Sequence, residues 1–117
     1  MIEEIRQKVR QNQLEFSQHA VNQSILRQIS VQELREAMEQ SEIIEDYPAD
    51  KYGASCLLLG FTLINRALHI HCSYPSRPLL KIITLYGEQV KAEEQINYLT
   101  KASIGYGIEK RVGKRQK

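Results

Sequence analysis

The sequence predicts an α+β fold in which N-terminal helices pack on a four-stranded antiparallel sheet. Residues 1–40 carry apolar side chains at the three- and four-residue steps of amphipathic helices. From residue 42 to residue 86 this period gives way to short apolar runs that are separated by Pro, Gly and Asn. The chain has 117 residues, of which 42% are hydrophobic and 26% charged, values typical of a globular domain. We therefore expect residues 1–117 to form a single domain.

The first helix is predicted from an apolar stripe at Ile2, Ile5 and Val9, which lie on one side of a helix. Residues 14–16 then form a short extended segment that leads into the second helix. Ser17 is the expected N-cap of that second helix, because a serine oxygen accepts a hydrogen bond from a free backbone N–H of the first turn.

The second helix is expected to run to about Arg27 and to turn Ala20, Ser24 and Ile25 inward. A third helix should start at Ser30, since Ser30 and Glu33 have the spacing of a capping box. Four strands should follow, the first of them ended by a proline that cannot donate to a ladder. The predicted strands cover residues 42–47, 55–64, 67–72 and 79–86.

The C-terminal part of the chain is expected to add a closing helix over residues 89–98 and a flexible basic tail over residues 104–117. The last eight residues, KRVGKRQK, hold five basic side chains and no acid. The formal net charge of the whole chain is only +2, so charge alone does not indicate nucleic-acid binding.

The cysteine content and the N-terminus favour a cytoplasmic protein. Cys56 and Cys72 stand in separate apolar segments, without the CxxC spacing of a metal or redox motif, and are expected to be buried thiols. The N-terminal run MIEEIRQKVRQ is amphipathic and has no apolar segment of the export-signal kind. No membrane association and no cofactor are expected.

One face of the second helix carries residues that suit phosphate chemistry. His19, Gln23 and Arg27 follow one another at steps of four. A histidine can transfer protons near neutral pH, and an arginine can neutralise the charge that develops on a phosphate. With His69 as a second proton-transfer group, the set would serve a metal-independent ribonuclease. In the alternative interpretation, His19 orients the helix start and Arg27 pairs with a carboxylate such as Glu33.

A second histidine cluster lies on the predicted third strand. Alternation along that strand sends Leu68 and Ile70 to the helix side, and His69 and His71 to the opposite face. His19 would therefore reach His69 only around an edge or an end of the sheet. His19, His69 and His71 could together hold zinc, but no acidic or cysteine ligand has suitable spacing, so we favour a surface role for His71 and expect no metal site.

An ordered set of motifs resembles a known family. The chain contains HAVNQSILRQIS, SEIIEDYPAD, CLLLGF, ALHIHC and IITLY in this order, over about residues 16–87. This succession resembles the family called domain of unknown function 4258. The positions that match its pattern are His19, Arg27, Tyr47, Pro48, Gly60, His69, Thr84 and Tyr86.

That family is similar to small toxins with the RelE and BrnT type of fold, which cleave RNA without a metal. The resemblance implies a RelE-like fold, an RNA substrate and an antitoxin protein as partner. It also implies that His19 and His69 act as acid and base, and that Arg27 stabilises the phosphate. The residues expected to contact substrate are Gln23, Thr84 and Tyr86. A free sheet edge could pair with an antitoxin strand or with a second copy in a homodimer.

Three residues depart from the family pattern. Gln23 stands where the pattern has an arginine, Gln28 replaces a glycine, and His71 is additional. The loss of one cation weakens the expected phosphate site. Two other functions therefore stay open, a non-catalytic interaction module with structural His and Arg residues, and, ranked last, a metal-binding hydrolase.

Overall fold

A computed structural model of the protein describes residues 1–87. The predicted closing helix at residues 89–98 and the predicted basic tail at residues 104–117 lie outside the described residues. The helices are α1 (Ile2–Arg10), α2 (Gln18–Leu26) and α3 (Val31–Glu39). The strands are β1 (Leu14–Phe16), β2 (Glu42–Tyr47), β3 (Ser55–Phe61), β4 (Ala67–Ser73) and β5 (Leu80–Gly87).

The architecture is α+β, as predicted, but the described sheet has five strands and is mixed. Its order is β1-β5-β4-β3-β2, in which β2 to β5 form the predicted antiparallel meander. The prediction of four antiparallel strands was wrong because β1 pairs in parallel with β5, with Leu14 opposite Leu80 and Phe16 opposite Ile82. Three residues are too few to show a strand period, and the partner strand lies far along the chain.

The predicted caps start α2 and α3. Ser17 accepts a hydrogen bond from the N–H of Ala20 at 3.0 Å, and Ser30 forms a complete capping box with Glu33. Ser17 also ties α2 to the sheet, since its hydroxyl donates to the carbonyl of Ile83 at 2.6 Å. Helix α2 thus continues from β1 along the edge of β5.

Only part of the predicted inward side of α2 is buried. Ala20 is fully buried, but Ile25 is 71% exposed, so the prediction that Ile25 faces the core was wrong. Helix α2 lies beside the sheet edge, where it packs against β5 and β1 and buries Ala20.

The core lies between the helices and one face of the sheet. Gly60 on β3 allows α3 to approach closely, because a Cβ at this position would lie 2.0 Å from the carbonyl oxygen of Ala37. The fully or almost fully buried apolar side chains include Ile5, Val9, Ala20, Leu34, Ala37, Met38, Leu58, Leu68, Ile70, Leu80, Ile82 and Leu85.

A buried ion pair joins α3 to the turn between β3 and β4. The Arg66 guanidinium lies 3.2 Å from the Glu33 carboxylate, and both side chains are about 95% buried. Arg66 also donates to the carbonyls of Arg27 at 2.6 Å and of Gln28 at 2.9 Å. The partner of Glu33 is therefore Arg66 rather than Arg27. Gln28 adopts a φ of +57°, a left-handed conformation that glycine reaches without steric cost.

Candidate functional site

The face of the sheet that points away from the core carries a group of polar and aromatic side chains. His69 and His71 alternate along β4 with the buried Leu68 and Ile70, which confirms the side predicted for the two histidines. We call this side of the sheet the open face. A bulge in β5 at Ile83 lies opposite the step from His71 to Cys72.

An aromatic depression of about 760 Å³ lies on the open face. The His69 ring stacks on Tyr86, with centroids 4.7 Å apart and an interplanar angle of 6°. The Tyr47 ring meets His71 edge-on at 5.6 Å. The residues that line this aromatic depression are Glu45, Tyr47, Pro48, Ala49, Asp50, Leu57, His71, Thr84 and Tyr86.

A hydrogen-bond relay orients His71. The Ser55 hydroxyl lies 3.0 Å from Asp50 Oδ2 and 2.9 Å from His71 Nε2. Because a hydroxyl has a single proton and the Asp50 carboxylate only accepts, we assign that proton to the bond with Asp50. Ser55 then accepts from Nε2–H of His71, which leaves Nδ1 of His71 as a proton acceptor.

The relay is built on a buried serine and a stabilised carboxylate. The Ser55 hydroxyl, together with the backbone N–H of Tyr52, holds the pKa of Asp50 below its ordinary value. Ser55 itself is fully buried, so it positions the imidazole of His71 and is not accessible as a nucleophile.

A second, basic depression of about 660 Å³ adjoins the first, and both are bordered by Asp50 and His71. Lys81 and Arg77 line the basic depression together with serine hydroxyls. Arg77 makes a long contact of 3.4 Å with the Glu15 carboxylate. Within residues 1–87 no ion pair involves the Lys81 ammonium, so Lys81 is the cation more readily offered to an anion.

The structure divides the predicted site residues between two places. His69, Thr84 and Tyr86 lie on β4 and β5, where His69 is paired in register with Tyr86. His19 and Arg27 lie on α2 or at its C-cap, and neither lines the aromatic or the basic depression.

The α2 residues are also separated from one another. His19 is exposed, whereas the Nε of Arg27 donates to the side-chain oxygen of Gln23 at 2.8 Å. The eight-residue step from His19 to Arg27 corresponds to roughly 12 Å along a helix axis. Among the described residues, no ring contact or hydrogen bond brings His19 to His69.

Sequence reasoning did not assign a functional role to Asp50, Ser55 or His71. The two-residue period did place His71 on the same face as His69. Nothing in the sequence indicated that the loop after β2 returns Asp50 to Ser55, and through Ser55 to His71. The relay therefore became visible only in three dimensions.

Within residues 1–87, no three His, Cys, Asp or Glu side chains are grouped so that they could hold a metal ion. In the same residues, no helix combines the length and the apolar character that crossing a membrane requires.

Comparison with protein families gives one match. A family model described as domain of unknown function (DUF4258) matches residues 16–87, well over half of the chain. The chain belongs to the DUF4258 family. The DUF4258 match begins at the last residue of β1 and ends with β5, so it includes every residue that lines the aromatic and the basic depression. No curated protein and no solved structure matches the chain.

Proposed function

We propose that this DUF4258 protein is a small metal-independent endoribonuclease of the RelE and BrnT type, which binds single-stranded RNA on the open face of its sheet. The observation that carries the proposal is the position of His71 between an aromatic and a basic depression. RNA carries flat bases on riboses that are linked by phosphates. The aromatic depression suits the bases, and the basic depression suits the phosphates.

The aromatic depression supplies surfaces for base stacking. Tyr86 is 41% exposed although it is stacked on His69, and Tyr47 is 38% exposed. Stacking of one base on an aromatic side chain contributes roughly 1–3 kcal/mol and depends little on sequence. We assign base binding to Tyr47 and Tyr86, with Thr84 lining the same aromatic depression.

The basic depression supplies the phosphate contacts. Lys81 and Arg77 lie beside His71 on the open face, together with Ser73 and Ser76. Glu45 lines only the aromatic depression, where it opposes a phosphate and can accept from a base amino group, whereas Asp50 borders both depressions. We therefore assign the phosphate contacts to Lys81 and Arg77.

The two strand histidines provide an acid–base pair. Side chains two residues apart on a strand lie about 7 Å apart on the same face, which leaves room for a phosphate between His69 and His71. Nδ1 of His71 takes the proton of the ribose 2′-OH as O2′ attacks phosphorus. The P–O5′ bond breaks, and a protonated His69 donates to the leaving O5′. The products are a 2′,3′-cyclic phosphate and a 5′-hydroxyl end, and Lys81, on the other side of His71, holds the neighbouring phosphate of the RNA.

In this scheme His71 takes the role that the family resemblance gave to His19. Arg27 and Gln23 remain candidates for contacts with a longer RNA, because α2 runs along the edge of β5. A contribution of His19 to cleavage is the competing hypothesis.

The test is cleavage of an end-labelled single-stranded RNA in the presence of EDTA. We expect the wild-type protein and His19→Ala to cut, and His71→Ala to bind RNA without cutting. If His19→Ala alone lost cleavage, the general base would be His19 on α2 and not His71. If folded wild-type protein neither bound nor cut RNA, the proposal would be wrong. Growth arrest of a bacterial host by the same three proteins, at equal expression, provides an independent readout.

A second candidate function is a non-catalytic interaction module, and one observation favours it. Ile25 and Leu26 at the end of α2 are 71% and 67% exposed, and Val31 on α3 is 52% exposed. This apolar surface could bind an antitoxin protein or a second copy of the chain. Sedimentation of the wild-type protein and of Ile25→Asp tests the homodimer. Leu63→Asp is the control, because it introduces the same charge at an exposed apolar residue outside this surface.

A further inference from the structure

Cys56 and Cys72 lie directly opposite each other on β3 and β4, on the side of the sheet that the helices cover. Opposed side chains on one face of an antiparallel pair are neighbours, so the two thiols are placed to hydrogen-bond to each other. This bond lowers the pKa of Cys56 and raises the pKa of Cys72. Cys56 is thus the better nucleophile of the two.

Opposed residues of antiparallel strands have Cα atoms about 4.5–5.5 Å apart, which is within the range of about 4.4–6.8 Å found for disulfides. A bond between Cys56 and Cys72 therefore requires side-chain rotation and only a small backbone shift. The sequence alone did not show this, because sixteen residue positions separate the two cysteines.

We propose that Cys56 and Cys72 form an oxidisable dithiol, which a peroxide converts reversibly into a cross-strand disulfide. The Cys56 thiolate attacks the peroxide, becomes a sulfenic acid and releases one water molecule from hydrogen peroxide. Cys72 then attacks that sulfur, the S–S bond forms and a second water leaves. The peroxide accepts the two electrons, and a dithiol reductant returns them. The proposal is independent of any RNA activity.

A tyrosine packs beside the dithiol. Asp46, Cys56 and Cys72 form one row across β2, β3 and β4. Tyr74 packs against the core two residues after Cys72, and its hydroxyl donates to Asp46 Oδ1 at 2.6 Å. The ring of Tyr74 thus runs from the end of β4 toward β2, across the strand that carries Cys56. Since both thiols are fully buried, the oxidant reaches them when this contact opens.

The experiment follows the two thiols of the folded, full-length chain during exposure to hydrogen peroxide. Peptide mapping should give a Cys56–Cys72 disulfide with a mass loss of two hydrogens, reversed by dithiothreitol. In Tyr74→Phe, which loses the bond to Asp46, we expect oxidation to be about threefold faster or more. Tyr52→Phe is the matched control, because Tyr52 is 85% exposed and the same hydroxyl is removed there.

Three results would overturn parts of the proposal. If both thiols of the folded chain stay reduced while the chain in urea is oxidised, the dithiol is inert. If the products are sulfinic acids or disulfides between chains, the cross-strand geometry does not direct the reaction. If the disulfide forms at the same rate in Tyr74→Phe and in the wild type, Tyr74 does not control access.

Discussion

Nε2 of His71 lies 2.9 Å from Oγ of Ser55, and the Ser55 hydroxyl continues the contact to the Asp50 carboxylate. This relationship sets the direction in which the His71 ring points on the open face. A histidine that is held by one nitrogen presents the other to a substrate. The relay therefore exists only when the loop after β2, strand β3 and strand β4 are all in place.

We expect Ser55→Ala to act as a positioning variant. Removing the hydroxyl should lower the rate of RNA cleavage by about tenfold or more, less than the roughly 10²–10⁴-fold loss expected for His71→Ala. The affinity for RNA should stay the same, because Ser55 is buried and does not face the substrate. Single-turnover rates and equilibrium binding measure the two effects separately. An equal loss of affinity and rate would indicate a general structural defect instead.

The Asp50 carboxylate should make the stability of the protein depend on pH. Its pKa is lowered below the ordinary value of 3.8, mainly by the hydrogen bond from Ser55. A lowered pKa in the folded state means that the ionised carboxylate stabilises the fold above pH 3.8, and that this contribution is lost as the pH falls through the folded-state pKa. Urea unfolding should therefore show Asp50→Asn less stable than the wild type at neutral pH, with the difference narrowing in acid. A constant difference would exclude this linkage.

Lys81 should account for part of the salt dependence of RNA binding. Replacing one lysine that contacts a phosphate removes about one unit from the slope of log affinity against log salt. We expect this change for Lys81→Gln. Lys8→Gln is the control, because Lys8 lies on α1 and binds the carbonyl of Pro78. If both variants changed the slope equally, the basic depression would not be the phosphate site.

The buried ion pair between Arg66 and Glu33 should be strongly required for stability. In Arg66→Leu the Glu33 carboxylate stays buried without its cation, which costs about 3–5 kcal/mol of unfolding free energy. Arg10→Leu removes the same side chain from a half-exposed pair with Glu39, where solvent screens the charges and the cost should be much smaller. Urea denaturation of both variants tests the contrast. Similar losses would show that burial of the Arg66 pair is unimportant.

Position 28 should favour glycine over alanine. The φ of Gln28 is +57°, and a left-handed backbone costs an L-residue about 1–2 kcal/mol. Gln28→Gly and Gln28→Ala lose the same side-chain contacts, and only glycine relieves the backbone. We expect the glycine variant to be about 1 kcal/mol more stable than the alanine variant in thermal and urea unfolding. Equal stability would mean that the turn relaxes in the variant.

The starts of α2 and α3 and the side on which His69 and His71 lie were determined by the sequence itself. Ser17 and Ser30 cap their helices through backbone groups three residues away, and alternation along β4 is set by the pleat of a single strand. These features depend on residues that are neighbours in the chain, so the spacing of those residues was sufficient to predict them.

Only the tertiary structure decided which distant residues meet. The pairing of β1 with β5, the ion pair of Arg66 with Glu33 and the contact of Cys56 with Cys72 each join segments with no shared spacing signal. The same holds for the separation of His19 from His69, because α2 lies along the edge of the sheet and not on its open face. Such contacts result from the packing of whole helices and strands around one core. The arrangement of these elements is determined by the burial of many side chains at once, and short-range spacing does not reveal it.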